Sequence, residues 1–165
     1  MAVNHRGVAD FGAKLLALQE DMPNIMSDLV VGEGVYAVKR ARQICKTDPS
    51  EPKRKKIGVA NTGNYRNSWA SDDHALRRGN SYSVRFYNPL DYSIHLEYGF
   101  RSHFVPGEAL SGPVRSAFPD GFYIGKKGGY VRGHFTLKRA KRRTLDSQGP
   151  RLKRRLGTAI QQHMK

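Results

Sequence analysis

Apolar residues recur at steps of three and four along the first part of the chain. Val8, Phe11, Leu15, Leu18 and Met22 fall on one stripe. This spacing is typical of an amphipathic helix that packs one face against other elements. It predicts a helix over about residues 9–22.

A second helix is predicted to start at Pro23, because proline suits the first turn of a helix and disrupts its interior. The apolar stripe resumes beyond it and ends before Thr47. Its members are Val31, Val35, Val38 and Cys45. Residues 47–60 then lack periodicity and contain two prolines and the basic run Lys53–Lys56. This composition predicts an exposed loop.

A strand is predicted over Ser81–Asn88, where Tyr82, Val84 and Phe86 alternate with the positions between them. Turn-forming residues of the glycine, asparagine and proline types bound this segment on both sides. Residues 91–98 also alternate, so they form either a strand or a short helical turn.

Glycine and proline are frequent between residues 99 and 133, with short aromatic islands among them. This composition predicts a long arm or hairpin, a kind of segment that usually serves binding. Helical spacing returns after it, which predicts one or two C-terminal helices. One predicted face consists of Phe135, Leu137, Ala140 and Thr144, and the next consists of Leu152, Leu156, Ala159, Ile160 and His163.

Together these elements predict an α+β fold. We expect two N-terminal helices, a small and mostly antiparallel sheet, a long extended arm, and one or two C-terminal helices packed on the sheet. Residues 1–146 are predicted to form a single domain with the arm at about residues 99–133. Residues 147–165 are predicted to form a basic helical extension.

The formal net charge is +15, from 29 Lys and Arg against 14 Asp and Glu. Residues 126–165 contain thirteen Lys and Arg and a single acidic residue, Asp146. Because such a charge attracts polyanions, we predict contact with DNA or with an acidic protein, and the sequence leaves both open. The residues assigned to this contact are Lys126, Lys127, Arg132, Lys138, Arg139, Lys141, Arg142 and Arg143.

Catalytic and metal chemistry find little support in the residue pattern. The glycine-rich segment Gly125–Gly129 lacks the spacing of a phosphate-binding P-loop, so it predicts a basic hairpin. The six histidines are scattered without the spacing of metal ligands. Asp72, Asp73 and Glu97 could supply a catalytic pair of carboxylates, but the support is weak because the sequence does not give their separation. We therefore expect no enzyme activity, no cofactor and no metal.

Cys45 is the only cysteine and lies on an apolar helical stripe, which predicts a buried and inert thiol. A lone cysteine forms no intrachain disulfide and suits a reducing compartment. No apolar run approaches the roughly 18 residues of a membrane span, and the first residues lack the pattern of a secretion signal. We expect a soluble chain made in a cytoplasm, without a membrane partner.

Three short segments, in this order and spacing, resemble a family of neck proteins from long-tailed (siphovirus-type) bacteriophages. The segments are Thr62–Trp69 (TGNYRNSW), then Tyr87–Pro89 with Tyr92 and Leu96–Gly99 (LEYG), then Gly128–Val131 (GGYV) with Gly133 and Phe135. The resemblance covers about residues 60–137, and its specificity lies in the ordered combination. Proteins of this family are known as head-tail connector, neck, minor tail or tail-completion components.

The chain departs from the family pattern at several places. Tyr65 stands where the family usually has leucine, and Ser93 and His95 interrupt a usual Tyr-Ala pattern. The segment Val105–Phe122 lengthens the arm, and the basic tail after Asp146 is atypical. These departures bear mainly on which partners the chain contacts.

The resemblance implies a structural virion protein that joins or completes the connection between head and tail. It implies a homo-oligomeric ring of six or twelve copies in the neck of the virion, assembled in the host cytoplasm. The neighbours implied are a portal-side adaptor or head-closure protein, and a tail terminator or tail tube protein. The interface residues implied are Thr62, Gly63, Asn64, Tyr65, Arg66, Trp69, Glu97, Tyr98, Gly99, Gly128, Gly129 and Tyr130.

Physical roles follow for some of these motif residues. Thr62 is a good helix N-cap, and Gly63 and Asn64 tolerate turn conformations. Glu97 is predicted on the polar side of its segment, where it would pair with Arg66 or with an arginine of the next subunit. A charge pair at such an interface sets register more than affinity.

Two alternatives stay open at this point. One is a tail terminator, a related structural role. The other is a protein that binds nucleic acid without sequence preference, with Tyr123 and Tyr130 stacking on bases.

Overall fold

The structure, a computed structural model, describes residues 5–46 and 63–165. The predicted loop at residues 47–60 and the predicted N-cap Thr62 lie outside the described residues. The chain divides into two compact units, Met1–Pro89 with Leu137–Lys165 as unit 1 and Leu90–Thr136 as unit 2. The predicted domain boundary near residue 146 stays a prediction.

Unit 1 is built on one long helix, α1 (His5–Lys46), which contains Pro23 in its interior. The prediction of two helices separated at Pro23 is therefore wrong. Proline removes one backbone hydrogen bond, but the apolar stripe continues through it to the buried Ile25 and Leu29. Burial of a continuous stripe outweighs the local cost of the proline.

Helix α6 (Gln148–His163) packs against α1, so the prediction that this helix packs on the sheet is wrong. The two helices run antiparallel. Near one end of their interface Arg151 bonds Glu33, and near the other end His163 Nε2 lies 3.0 Å from Asp21 Oδ2.

Unit 1 also contains the short elements α2 (Asn64–Asn67), β1 (Ala70–Ser71), β2 (Leu76–Arg78), β3 (Ser81–Ser83) and β4 (Phe86–Tyr87). Of these, α2, β1, β3 and β4 pack against α1. Strand β1 pairs with β4 and β2 pairs with β3, both antiparallel, as predicted for the sheet. The predicted strand over residues 81–88 is divided at residues 84–85, because its two halves pair with different partners.

The remaining helix of unit 1 is α5 (Thr136–Asp146). Ala140 and Thr144 are buried, while Lys138, Lys141 and Arg142 are exposed on the opposite face. The amphipathic helix predicted here is confirmed.

Unit 2 is a hairpin with helical insertions. It contains α3 (Ser93–Tyr98), β5 (Gly99–Arg101), β6 (His103–Val105), a 3₁₀ turn (Gly107–Ala109), α4 (Gly112–Ala117), β7 (Phe122–Ile124) and β8 (Tyr130–Arg132). Strand β5 pairs with β8 and β6 pairs with β7, both antiparallel. Of the predicted arm or hairpin at residues 99–133, the structure forms the hairpin. The open choice at residues 91–98 resolves as a helix.

Candidate interaction surfaces

The first motif of the resemblance forms a packed corner of unit 1. Gly63 occupies the N-cap position of α2 with φ of 68°, a left-handed conformation that favours glycine. The rings of Tyr65 and Trp69 are buried and meet edge to face, with centroids 5.6 Å apart. Trp69 also lies 6.1 Å from the ring of Phe86 on β4. The aromatic residues of the motif thus contribute to the core of the unit.

Hydrogen bonds fix this corner to its surroundings. Asn88 donates from Nδ2 to the Tyr65 carbonyl at 2.7 Å. Arg42 of α1 donates from Nη2 to the carbonyls of Asn67 and Trp69, at 3.1 and 2.9 Å. The described part of this motif, residues 63–69, therefore meets both Asn88 and α1.

Because Tyr65 and Trp69 are buried, packing in the core of unit 1 accounts for their presence in the motif. Asn64 is exposed and Arg66 is half-buried. Arg66 donates from Nε to Asn67 Oδ1 at 3.3 Å. An interface role for this corner stays a prediction, and Asn64 and Arg66 are the side chains placed to serve it.

The second and third motifs meet in unit 2. In the β5–β8 ladder, Gly99 lies opposite Arg132. Past the ladder, the backbone N–H of His134 donates to the Leu96 carbonyl at 2.8 Å, and that of Phe135 donates to the Glu97 carbonyl at 3.0 Å. These bonds join α3 to the end of the hairpin.

Gly99 and Tyr130 allow α3 and the end of the hairpin to approach each other closely. Gly99 has φ of 85°, and a Cβ there would collide with the backbone at Val131 and Gly133. The hydroxyl of Tyr130 donates to the Tyr98 carbonyl at 2.5 Å. The tyrosine rings remain largely outside the joint, with 58% of Tyr98 and 62% of Tyr130 exposed.

Glu97 is buried, so the prediction that it lies on the polar side of its segment is wrong. That prediction follows from the alternation of residues 91–98, which assigns faces as in a strand. Helix α3 instead turns each residue by a helical step and so changes the buried face. Pairing of Glu97 with Arg66 or with another subunit stays a prediction.

A basic turn joins β7 to β8. Lys126 and Lys127 are exposed, and the turn is shaped by Gly125 and Gly128 with φ of 90° and 72°. The Lys127 ammonium lies 5.7 Å from the centroid of the Tyr123 ring. Strand β7 pairs with β6 and β8 pairs with β5, so the predicted basic hairpin is instead an exposed basic turn within one side of the longer hairpin. A turn that presents two cations suits a phosphate or carboxylate ligand.

A second basic surface lies on α5, in unit 1. Lys138, Lys141 and Arg142 form one exposed face at steps of three and four. Arg139 and Arg143 are half-buried, and burial together with the Arg143 charge lowers the pKa of Arg139. The predicted cationic residues are therefore divided between the two units, because Lys126, Lys127 and Arg132 lie in unit 2.

Sequence reasoning missed a groove in unit 1 beside α5. It encloses about 580 Å³. Its lining residues are Val84, Arg85, Phe86, Tyr87, Leu137 and Lys141. Arg85 is itself bound to Asp72, with Nε 2.9 Å from Oδ2, and this hydrogen bond lowers the pKa of the Asp72 carboxyl. The lining of the groove thus combines apolar side chains with the basic side chains of Arg85 and Lys141.

The first turns of α1 form a surface that the stripe alone did not reveal. Lys14 Nζ lies 3.3 Å from the Lys165 carbonyl, beyond the end of α6, so α1 continues past α6. We call residues 7–17 the overhang. Its apolar side chains are exposed: Val8 at 65%, Phe11 at 52%, Leu15 at 44% and Leu16 at 63%.

A buried ion pair also escaped prediction. Arg151 Nε donates to Glu33 Oε1 at 2.9 Å, with Glu33 buried inside unit 1. The guanidinium of Arg151 also lies 3.6 Å from the centroid of the Tyr36 ring. No sequence signal links two residues that lie on helices so far apart along the chain.

No family model, curated protein or solved structure matches the chain. The resemblance to phage neck proteins therefore rests on the motif residues of the sequence alone. Within residues 5–46 and 63–165, no helix is long and apolar enough to cross a membrane. The same part of the chain contains no group of three or more His, Cys, Asp or Glu able to hold a metal ion.

Proposed function

We propose that this chain is a structural protein of the neck of a long-tailed bacteriophage, where it joins or completes the head-tail connection. The observation that carries the proposal is the pairing of the resemblance motifs. Residues 63–69 of the first motif meet Asn88 in unit 1, and Leu96–Gly99 meets Gly128–Phe135 in unit 2. Motif segments that contact each other within the fold support a family resemblance better than segments that lie apart on the surface.

The exposed surfaces support an assembly role. The overhang exposes four large apolar side chains close together, and such a patch usually marks a protein interface. Tyr98 and Tyr130 add a second exposed apolar surface in unit 2. In this proposal the copies form a ring between a portal-side adaptor or head-closure protein and the tail tube, and the work is mechanical coupling.

The test is electron microscopy of lysates from phage that carry an early nonsense codon in this gene. Separate full heads and tails, or joined particles that do not infect, are expected. Supplying the intact gene in trans should restore infectious particles, which controls for effects on neighbouring genes. Normal infectious particles without the protein would overturn the proposal.

The same micrographs separate the tail-terminator alternative. A missing terminator leaves tails of abnormal length, whereas a missing joining protein leaves tails of normal length without heads. Tails of uncontrolled length would therefore show that the protein terminates tails and does not join them to heads.

A second candidate function is binding of nucleic acid without sequence preference. The observation that favours it is the exposed pair Lys126 and Lys127 on a turn beside Tyr123, which combines cations with a stacking surface. Within the neck proposal the same residues would contact the genome as it enters the tail. A protein that binds DNA in infected cells but is absent from virions would favour the second candidate.

A further inference from the structure

An exposed pair of aromatic rings lies on the ladder formed by β6 and β7. Phe104 and Tyr123 are opposite each other in its register, and their ring centroids are 5.3 Å apart. Because side chains along a strand point alternately to the two faces of a sheet, these two rings share one face. They stay accessible there, with 47% of Phe104 and 42% of Tyr123 exposed. We call these two residues the aromatic platform.

The opposite face of the same ladder serves packing within unit 2. Val105 and Phe122 form the next pair of the register, and both are half-buried. Phe122 also contacts Phe118 of α4, with ring centroids 5.0 Å apart. Apolar packing inside the unit therefore uses the face that lies opposite the aromatic platform.

Charge is distributed unequally between the two ends of this ladder. The connection between β6 and β7 contains Glu108, Arg115 and Asp120, a net charge of −1 (one basic minus two acidic residues). The basic turn that follows β7 contains Lys126 and Lys127, a net charge of +2. An anionic ligand on this ladder is therefore attracted to the end at the basic turn.

Lys127 brings positive charge to the rings themselves, because its ammonium lies 5.7 Å from the centroid of the Tyr123 ring. A ligand that matches this surface presents a flat apolar group to the rings and an anion to the turn. An unpaired nucleotide combines a base and a phosphate in this way, and aromatic side chains stack on any base. Bases within a duplex are less suited, since their faces are stacked on neighbouring bases.

We propose that the aromatic platform and the basic turn bind single-stranded nucleic acid. Unpaired bases stack on Phe104 and Tyr123, and phosphates lie at Lys126 and Lys127. The inference rests on the second candidate function, binding of nucleic acid, and specifies that the ligand is unpaired. An acidic protein segment matches the same surface only if its sequence places an aromatic side chain beside a carboxylate, whereas every nucleotide carries both kinds of group.

Fluorescence anisotropy with labelled oligothymidine, and with a DNA duplex of the same length, tests the proposal on the full chain. The unaltered protein is expected to bind oligothymidine more tightly than the duplex. Tyr123→Leu and Phe104→Leu should each weaken oligothymidine binding by at least about fivefold, the loss expected when one base no longer stacks. Duplex binding should change little, because it depends on the lysines.

Two further variants separate stacking from other effects. Tyr123→Phe keeps the ring and should bind oligothymidine like the unaltered protein. Tyr92→Leu is the matched control, because Tyr92 is 39% exposed in the same unit but lies outside the aromatic platform, and it should also bind normally. Matching thermal unfolding would show that all the variants fold.

Three outcomes overturn the proposal. Unchanged oligothymidine binding by both leucine variants would mean that bases do not stack on the aromatic platform. Equal losses for oligothymidine and duplex would mean that the rings only support the basic turn. If labelled polyglutamate binds as tightly as oligothymidine and Tyr123→Leu weakens both equally, the surface receives an acidic protein.

Failure of this inference and failure of the candidate function are distinguishable. If the protein binds DNA in infected cells but the leucine variants bind oligothymidine normally, the function stands and the aromatic platform falls. If the leucine variants lose oligothymidine binding but the protein is found only in virions, the aromatic platform stands and the separate nucleic-acid-binding function falls.

Discussion

Arg151 of α6 forms a buried ion pair with Glu33 of α1 and so connects two distant parts of the sequence. All of its donor nitrogens are used: Nε and Nη2 bond Glu33, Nη1 bonds the Ser147 carbonyl at 3.0 Å, and Nη2 also reaches the Thr144 carbonyl at 3.2 Å. Its guanidinium lies over the ring of Tyr36. The hydrogen bond with Glu33 raises the pKa of Arg151. This arrangement fixes the register of α6 on α1.

Replacing Arg151 by alanine is expected to lower the free energy of unfolding by about 3–5 kcal/mol, because Glu33 would be left buried and without its arginine. Urea unfolding measures the difference. Arg154→Ala is the control, since Arg154 is exposed on the same helix and should change stability by no more than about 0.5 kcal/mol.

The pH dependence of this difference has a definite sign. A raised folded-state pKa stabilises the fold at every pH below the unfolded pKa of arginine, and the stabilisation disappears only above it. The gap between the unaltered protein and Arg151→Ala should therefore stay constant around neutral pH. A small or absent gap would mean that the pair adds little to stability.

Element by element, periodicity predicted more than turn chemistry did. The apolar stripe of α1 and the faces of α5 and α6 could be predicted because helix spacing is local. Pro23 led to the wrong prediction of two helices, because the free-energy cost of a proline within a helix can be judged from the local sequence. The burial of Ile25 and Leu29 outweighs that cost, and it depends on elements far along the chain, α6 among them. Local rules fail where a distant element decides.

The candidate residues divide in the same way. Lys126, Lys127 and three of the α5 cations are exposed as predicted, since charge favours the surface. The resemblance assigns Tyr65, Trp69 and Glu97 to an interface, yet they are buried within their own units. Sequence shows that such residues matter but not which surface they face.

Two glycines of unit 1 predict opposite effects on helix stability. Gly157 in α6 has open space where a Cβ would stand, so Gly157→Ala should stabilise the fold by about 0.5–1 kcal/mol. Gly34 in α1 lies against Val84 and Ser71, and a Cβ at Gly34 would be 3.1 Å from each. Gly34→Val should therefore destabilise by about 1–3 kcal/mol through overpacking.

Urea unfolding of both variants checks this pair of expectations. Gly157→Val serves as the matched control, because the same added atoms at an open helical position should change stability by less than about 0.5 kcal/mol. A stable Gly34→Val protein would mean that the strands do not pack closely on α1.

For the whole molecule, the net charge is +15, and exposed cations occur in both units. The basic turn of unit 2 presents Lys126 and Lys127, and the face of α5 in unit 1 presents Lys138, Lys141 and Arg142. Because the two groups of cations lie in different units, substitutions in each unit test their roles separately.

The isolated protein should bind duplex DNA without sequence preference, with an affinity that falls linearly with salt on logarithmic axes. Lys126→Gln with Lys127→Gln should reduce that slope by about 0.9 for each phosphate that the variant no longer neutralises. Lys39→Gln with Lys165→Gln removes the same charge from exposed sites elsewhere and should change the slope less. Fluorescence anisotropy over a salt series measures all three proteins. Equal reductions in both double variants would assign DNA binding to net charge alone. A selective reduction would assign it to the basic turn, and phage carrying that variant should then give fewer joined or infectious particles.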